Sequence, residues 1–281
     1  LQVWDAQSGL PKATLTPESI VSWTSFVLRN QNIAGARDTE GFLRLWSMDA
    51  MSTVHLDGHK GHVNSARFTG PTGYILSTGW DGWASNESGC VRIWDAETGL
   101  LIASLGDAGE VAMSVEISSE GRYAVCRITR GENTGIRIID LIEGTQRHIP
   151  GQYDEVAVHP TKPLLLSASV DQFFLSNLDT GEVLRSWKSQ HKIKGQLRWI
   201  PGKTELGTLV CPIETERERF VSVIDIESFK TTSTVQGEYA ATSPDGHLVY
   251  VYSSIENQLT VYDSDSMLPQ RSGSLDGLGS G

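Results

Sequence analysis

One segment of this chain returns seven times. It reads LQVWDAQSG (1–9), FLRLWSMDA (42–50), CVRIWDAETG (90–99), IRIIDLIEG (136–144), FFLSNLDTG (173–181), VSVIDIES (221–228) and LTVYDSDS (259–266). Each copy is an alternating apolar strand, then a small or acidic residue, then a turn. The matched positions are Trp4, Trp46, Trp94, Ile139, Ser176, Ile224 and Tyr262, at spacings of 42, 48, 45, 37, 48 and 38 residues that average 43. A super-period of this length constrains the fold more than any composition does, because one such unit cannot bury its own apolar face and must stack on its neighbours.

Three further short β-rich runs separate successive copies. In the second full unit the order is HVNSARF, YILSTGW, CVRIWD and LLIASL, which predicts strand, turn, strand, loop, strand, turn, strand. The first-to-second turn recurs as GPTG (70–73), SSEG (118–121), HPTK (159–162), IPGK (200–203) and SPDG (243–246), with glycine or proline where a tight reversal needs a permissive or fixed φ. Helical periodicity of useful length is absent. Four antiparallel strands per repeat, rich in aromatic and β-branched residues, predict an all-β protein of propeller blades rather than a sandwich, whose turns come without a long super-period.

Gly61-His62, Asp81, Trp94-Asp95 and Ser243-Pro244-Asp245-Gly246 are where the chain resembles the WD40-repeat family. The likeness extends over nearly the whole sequence, is sharpest in the unit ending at Trp94, and fades at IRIID and FFLSN, where the tryptophan is replaced. It implies a β-propeller of four-stranded antiparallel blades. Seven third-and-fourth strand pairs stand against six first-and-second pairs, so the expectation is a seven-bladed ring with six complete blades plus an N-terminal half-blade. Residues 1–270 are expected to form the propeller and 271–281 a flexible C-terminal tail or a linker to further strands. The start at Leu1 and the ending LDGLGSG fit an excerpt of a larger chain, in which the two missing strands lie before Leu1 or, completing the seventh blade with residues 1–16, after Gly281.

Composition excludes several roles. With 39% hydrophobic residues in 281, the chain has the apolar material for a large core. A net charge of −11, from 34 acidic and 23 basic residues, argues against a nucleic-acid or anionic-membrane binder, since both need a basic footprint. No apolar run approaches the roughly 18 residues of a membrane span. Cys90, Cys126 and Cys211 form no CxxC pair and lie in strand-like runs, which fits reduced, buried thiols and a cytoplasmic location.

Serine, histidine and aspartate do meet in one stretch. His62, Ser77 and Asp81 have the residue types of a hydrolase triad. Against that reading, Ser77 sits inside the strand run YILST, and no G-x-S-x-G elbow lifts it into a cleft. The family resemblance implies instead that His62, Ser77, Asp81 and Trp94 form one hydrogen-bonded structural tetrad, with the serine engaged by the indole N–H. Other chemical signals are weaker. His55, His59 and His62 are the only close histidines and lack further ligands at zinc spacing, so no metal or cofactor is expected, and His59 reads as a solvated loop residue. Asp263 and Asp265 lack the glycine and distal glutamate of a calcium loop and read as a turn. Asn86-Glu87-Ser88 fits a glycosylation sequon, which matters only in a secreted chain.

The expected role is therefore non-enzymatic recognition: a scaffold domain, and a sensor or regulatory module of a larger multidomain protein, that binds a protein or peptide through its narrow-face loops. The resemblance implies that second-to-third and fourth-to-first connections share that face. These supply Arg37, then Trp80 and Trp83 in GWDGWASNESG, then Arg127 and Arg130, residue types enriched at binding hot spots. Trp80 has two readings, a cap on its own blade or an exposed anchor. The basic segment with Lys188, His191, Lys192, Lys194 and Arg198 either receives an acidic segment or simply keeps a loop soluble. A propeller enzyme with a metal or cofactor in the central channel is the alternative; the carboxylates it would use, Glu110, Glu116, Asp154, Glu155 and Glu238, show no common register in the sequence. A monomeric propeller within a larger chain, without nucleic acid or membrane partners, is expected.

Overall fold

The computed structural model describes residues 2–4, 11–14, 21–28, 33–38, 43–47, 52–70, 73–80, 90–107, 109–130, 134–202, 207–215 and 218–274. The chain divides into two compact units, Leu1–Gly151 and Gln152–Gly281. In the first, β1 (Gln2–Trp4) pairs only with β2 (Pro11–Thr14). Next come β3 (Val21–Leu28), β4 (Ile33–Asp38), β5 (Leu43–Ser47) and β6 (Ser52–Leu56), then β7 (His62–Phe68), β8 (Tyr74–Trp80), β9 (Val91–Asp95) and β10 (Leu101–Leu105). The unit ends with β11 (Val111–Ile117), β12 (Tyr123–Arg130), β13 (Gly135–Asp140) and β14 (Thr145–Pro150). Each set of four is one antiparallel sheet in chain order.

The second unit repeats the plan. A sheet of β15 (Glu155–Val158), β16 (Leu164–Ser169), β17 (Gln172–Asn177) and β18 (Val183–Lys188) comes first. The next holds β19 (Lys192–Ile193), β20 (Arg198–Ile200), β21 (Thr208–Glu214), β22 (Arg219–Asp225) and β23 (Lys230–Gln236), with β19 and β20 both paired to β21. They are one first strand interrupted opposite Pro212, which accepts from Lys194 N but has no N–H to return. The last sheet is β24 (Tyr239–Thr242), β25 (Leu248–Ser253), β26 (Gln258–Asp263) and β27 (Pro269–Ser274). Because β27 runs on to Ser274, residues 271–274 belong to a paired strand and not to the tail expected from 271 onward.

An aspartate or asparagine at the end of the third strand makes the third-to-fourth turn in four sheets. Asp95 Oδ1 accepts from Glu97 N and Thr98 N, Asp140 Oδ1 from Ile142 N and Glu143 N, Asn177 Oδ1 from Asp179 N and Thr180 N, and Asp263 Oδ1 from Asp265 N and Ser266 N. A short side chain that copies a backbone acceptor fixes the reversal and sets the strand register beyond it. Asp263 and Asp265 are thus spent on a turn. In HPTK the histidine has the same duty: His159 Nδ1 accepts from Thr161 N and Lys162 N, both at 3.1 Å.

Apolar layers pack sheet on sheet within each unit. Leu43, Leu45, Leu56, Val63, Ile75 and Trp94 make one, and Leu76, Val91, Val115, Ala124, Cys126 and Ile139 another. In the second unit Leu166, Phe173, Leu175, Leu209, Cys211 and Ile224 share a layer. Fully burying side chains of this size stabilises by about 1.5–3 kcal/mol each. All three cysteines are buried and free.

Candidate functional site

The residues of the suspected triad are brought together in part, and with a different histidine. His59 Nε2 lies 2.8 Å from Ser77 Oγ, and Trp94 Nε1 donates to the same oxygen at 2.8 Å. His59, read from sequence as a solvated loop residue, is 3% exposed, whereas His62 is exposed at the start of β7 and opposite Trp80. Gly58 explains the choice. A Cβ there would stand 2.6 Å from Trp94 Cη2, so only glycine lets the chain close over the indole and aim the next side chain inward. Asp81 lies outside the described residues.

The hydrogen-bond directions decide what this cluster can do. Arg92 Nη1, a donor only, contacts His59 Nδ1. The imidazole therefore carries its proton on Nε2 and donates to Ser77, which accepts from histidine and tryptophan together. A general base needs a free lone pair facing the serine, and here none faces it. The cluster ties β8 and β9 to the turn before β7 and leaves Ser77 fully buried.

In the neighbouring sheet the matching positions are Cys126 and Ile139, and the bond network changes with them. Arg137 takes the place of Arg92 and donates to Glu110 Oε1 at 2.8 Å, while Asp107 N donates to Glu110 Oε2 at 2.9 Å. Burial works against the Arg137 charge, but the Glu110 hydrogen bond and carboxylate raise it above its ordinary pKa. Burial, with Glu110 alongside, pushes the Cys90 thiol up to about 12; burial alone is the main cause of the rise at Cys126. Cys211 is also pushed up to about 12 by burial and by Glu155. Such thiols are protonated and unreactive at neutral pH.

The carboxylates that lacked a common register in the sequence share one only in part. Glu110, Asp154 and Glu238 each stand immediately before a first strand, whereas Glu155 opens β15 and Glu116 lies within β11. Glu238 accepts from Ser254 N at 2.8 Å and Ser254 Oγ at 2.6 Å, as Glu110 accepts from Asp107 and Arg137. Glu110 and Glu238 brace strand entries. Among the described residues, no three His, Cys, Asp or Glu side chains are grouped to hold a metal ion, and no helix is long and apolar enough to cross a membrane.

The expected partner residues are divided between the two units. Arg37 lies in β4, paired with Ser22 and Leu43 rather than in a loop, and Arg130 ends β12 opposite Val111. Trp80 is half-buried at the end of β8, and Trp83 lies outside the described residues. Lys192 is exposed in β19, and Lys194 Nζ is 3.9 Å from Glu214.

A cleft that sequence reading missed lies in the second unit, with a volume of about 630 Å³. Phe220, Ser222 and Ile224 alternate along β22 onto one wall; Phe173 and Trp187, cross-strand partners on β17 and β18, form the other. Trp187 stacks on Phe173 at 5.1 Å and meets Phe229 at 4.1 Å. Its origin is a register. The third-strand residue two places before the matched position is Arg44, Arg92, Arg137, Phe174, Ser222 and Thr260 in successive sheets, always opposite one second-strand row. At β22 the row reads Cys211, Ser222, Thr234, and Ser222 Oγ spends its bond on Thr234 Oγ1 at 3.2 Å. Three short side chains leave open the volume that Arg92, Arg137 and Phe174 fill in other sheets. Lys188, His191 and Lys230 line its mouth and are exposed, and no carboxylate is among its described lining residues.

No protein-family model matches the chain, and no curated protein matches it. Among solved structures it is similar to the crystal structure of the Myceliophteria thermophila Cps50 (Swd1) β-propeller domain. The TM-score is 0.68 at 15% identity, over 92% of this chain and 88% of that one. With the serial antiparallel sheets above, this likeness defines the class: an all-β protein with the β-propeller fold. At that identity the likeness speaks for the fold alone.

Proposed function

We propose that this chain is a non-enzymatic interaction module, a WD40-like propeller that holds a protein or peptide segment as part of a larger regulatory protein. The ring has seven blades, with the β1–β2 pair as one incomplete blade. Its three buried, protonated thiols suit the cytoplasm. The observation that carries the reading is the open cleft between the β17–β18 and β22–β23 walls, where aromatic rings and exposed lysines are presented together, residue types suited to recognition. The proton on His59 Nε2 supports the non-enzymatic part, because it leaves Ser77 without a base.

Selection of a random peptide display library on the immobilised chain tests this reading. Ser222→Phe, which restores at β22 the residue found at the same register in β17, serves as the counter-target. The expected result is enrichment of peptides that bind the parent chain and are lost on the variant. Failure to enrich any such peptide would sink the reading.

A further inference from the structure

Resting on that reading, we propose that the cleft takes an acidic peptide segment with one bulky apolar side chain. The two requirements come from separate parts of the wall. Along the walls, Phe173, Trp187, Phe220, Phe229 and Ile224 offer ring and aliphatic surface, interrupted by the short side chains of Ser222, Thr231 and Thr234. Ser222 and Thr234 already bond to each other, which lowers their demand for a polar group from an occupant. An apolar side chain there fills the space left beside Ser222 and buries the neighbouring rings from water. A flat ring also continues the stack of Phe173, Trp187 and Phe229.

The mouth asks for the opposite chemistry. Lys188 closes β18 and Lys230 opens β23, so cations reach the cleft from both walls, and His191 in the connection after β18 lines it too. Arg185 lies 5.7 Å over the Phe229 ring and adds a third cation nearby. None of these four is paired with a described carboxylate, on a chain whose net charge is −11. A local basic rim repels basic segments at the cleft and selects carboxylates by charge-assisted hydrogen bonds at a partly desolvated edge. Neutral apolar segments meet the floor but leave the rim unmatched.

Calorimetric titration of the whole chain with three blocked hexapeptides tests the proposal: a central phenylalanine flanked by glutamates, the same with lysines, and the glutamate peptide with alanine at the centre. The phenylalanine–glutamate peptide is expected to bind, and each of the others to bind at least about tenfold more weakly. Ser222→Phe is expected to lower its affinity about tenfold or more by filling the cleft. The double variant Lys188→Gln, Lys230→Gln changes only exposed side chains, keeps the melting temperature and lowers affinity roughly fivefold. Equal binding of the lysine or alanine peptide, or unchanged binding to the double variant, overturns the acidic and apolar specificity. If display selection meanwhile yields basic or neutral peptides sensitive to Ser222→Phe, the interaction reading stands and this one falls.

Discussion

Two Gly-His pairs stand three residues apart, and only one histidine enters the fold as a brace. Sequence spacing to Ser77 and Trp94 does not separate them; the close approach of Gly58 to the indole does. His59→Ala is expected to lower the melting temperature clearly, because it removes the buried hydrogen bond to Ser77 and the contact with Arg92, a loss of about 1–3 kcal/mol, whereas His62→Ala changes stability by less than about 0.5 kcal/mol. Thermal unfolding of both variants checks this, and equal effects would contradict the assignment. His159 gives a prediction with a sign. Burial, then the nearby Lys162, lowers its pKa from 6.5 to about 4, and its Nδ1 must stay unprotonated to hold the HPTK turn. Below pH 6.5 the unfolded chain binds a proton that the folded chain refuses, so stability falls as pH drops from about 6.5 toward 4. Melting curves across that window should show the loss, and His159→Asn, which keeps an acceptor without a titration, should flatten it.

At the scale of the element, the turns carry the register. Asp140 accepts from two backbone N–H groups and also from Arg122 Nε and Nη2 at 3.0 and 2.8 Å, while Asp263 serves its turn from the surface. Asp140→Ala should therefore lower the urea midpoint more than Asp263→Ala does; the reverse order would mean that the Arg122 pair adds nothing. Gly135 shows how tightly β13 meets β14. Its φ is 154°, and a Cβ would come 2.2 Å from Ile149 O, so Gly135→Ala must open that pairing, with faster amide exchange in both strands as the measure. Turn residues were legible in the sequence because Asp, Asn, Gly and Pro act locally. The break between β19 and β20 was not, because it depends on Pro212 in a different strand.

At the scale of the molecule, the charge of −11 sets the background against which the cleft works. If binding there is electrostatic at the rim, raising NaCl from about 50 to 500 mM should weaken the phenylalanine–glutamate peptide, as the screening length shrinks to a few ångströms. Binding that strengthens with salt would point to the apolar floor alone. The two compact units share one plan, four antiparallel strands in chain order, yet the inter-sheet layers differ. Where the third strand offers arginine, a polar brace forms; where it offers serine, space remains.

The repeat period, the four-strand unit and the turn positions were determined by sequence alone, because alternation and turn chemistry are properties of neighbours along the chain. Tertiary structure alone decided which histidine is buried, why Glu110 and Glu238 brace strand entries, and that Ser222 opens a cleft. Each of these depends on what a side chain meets across a strand pair or from the next sheet. No spacing along the chain carries that information, since a register is set only when two distant segments pack.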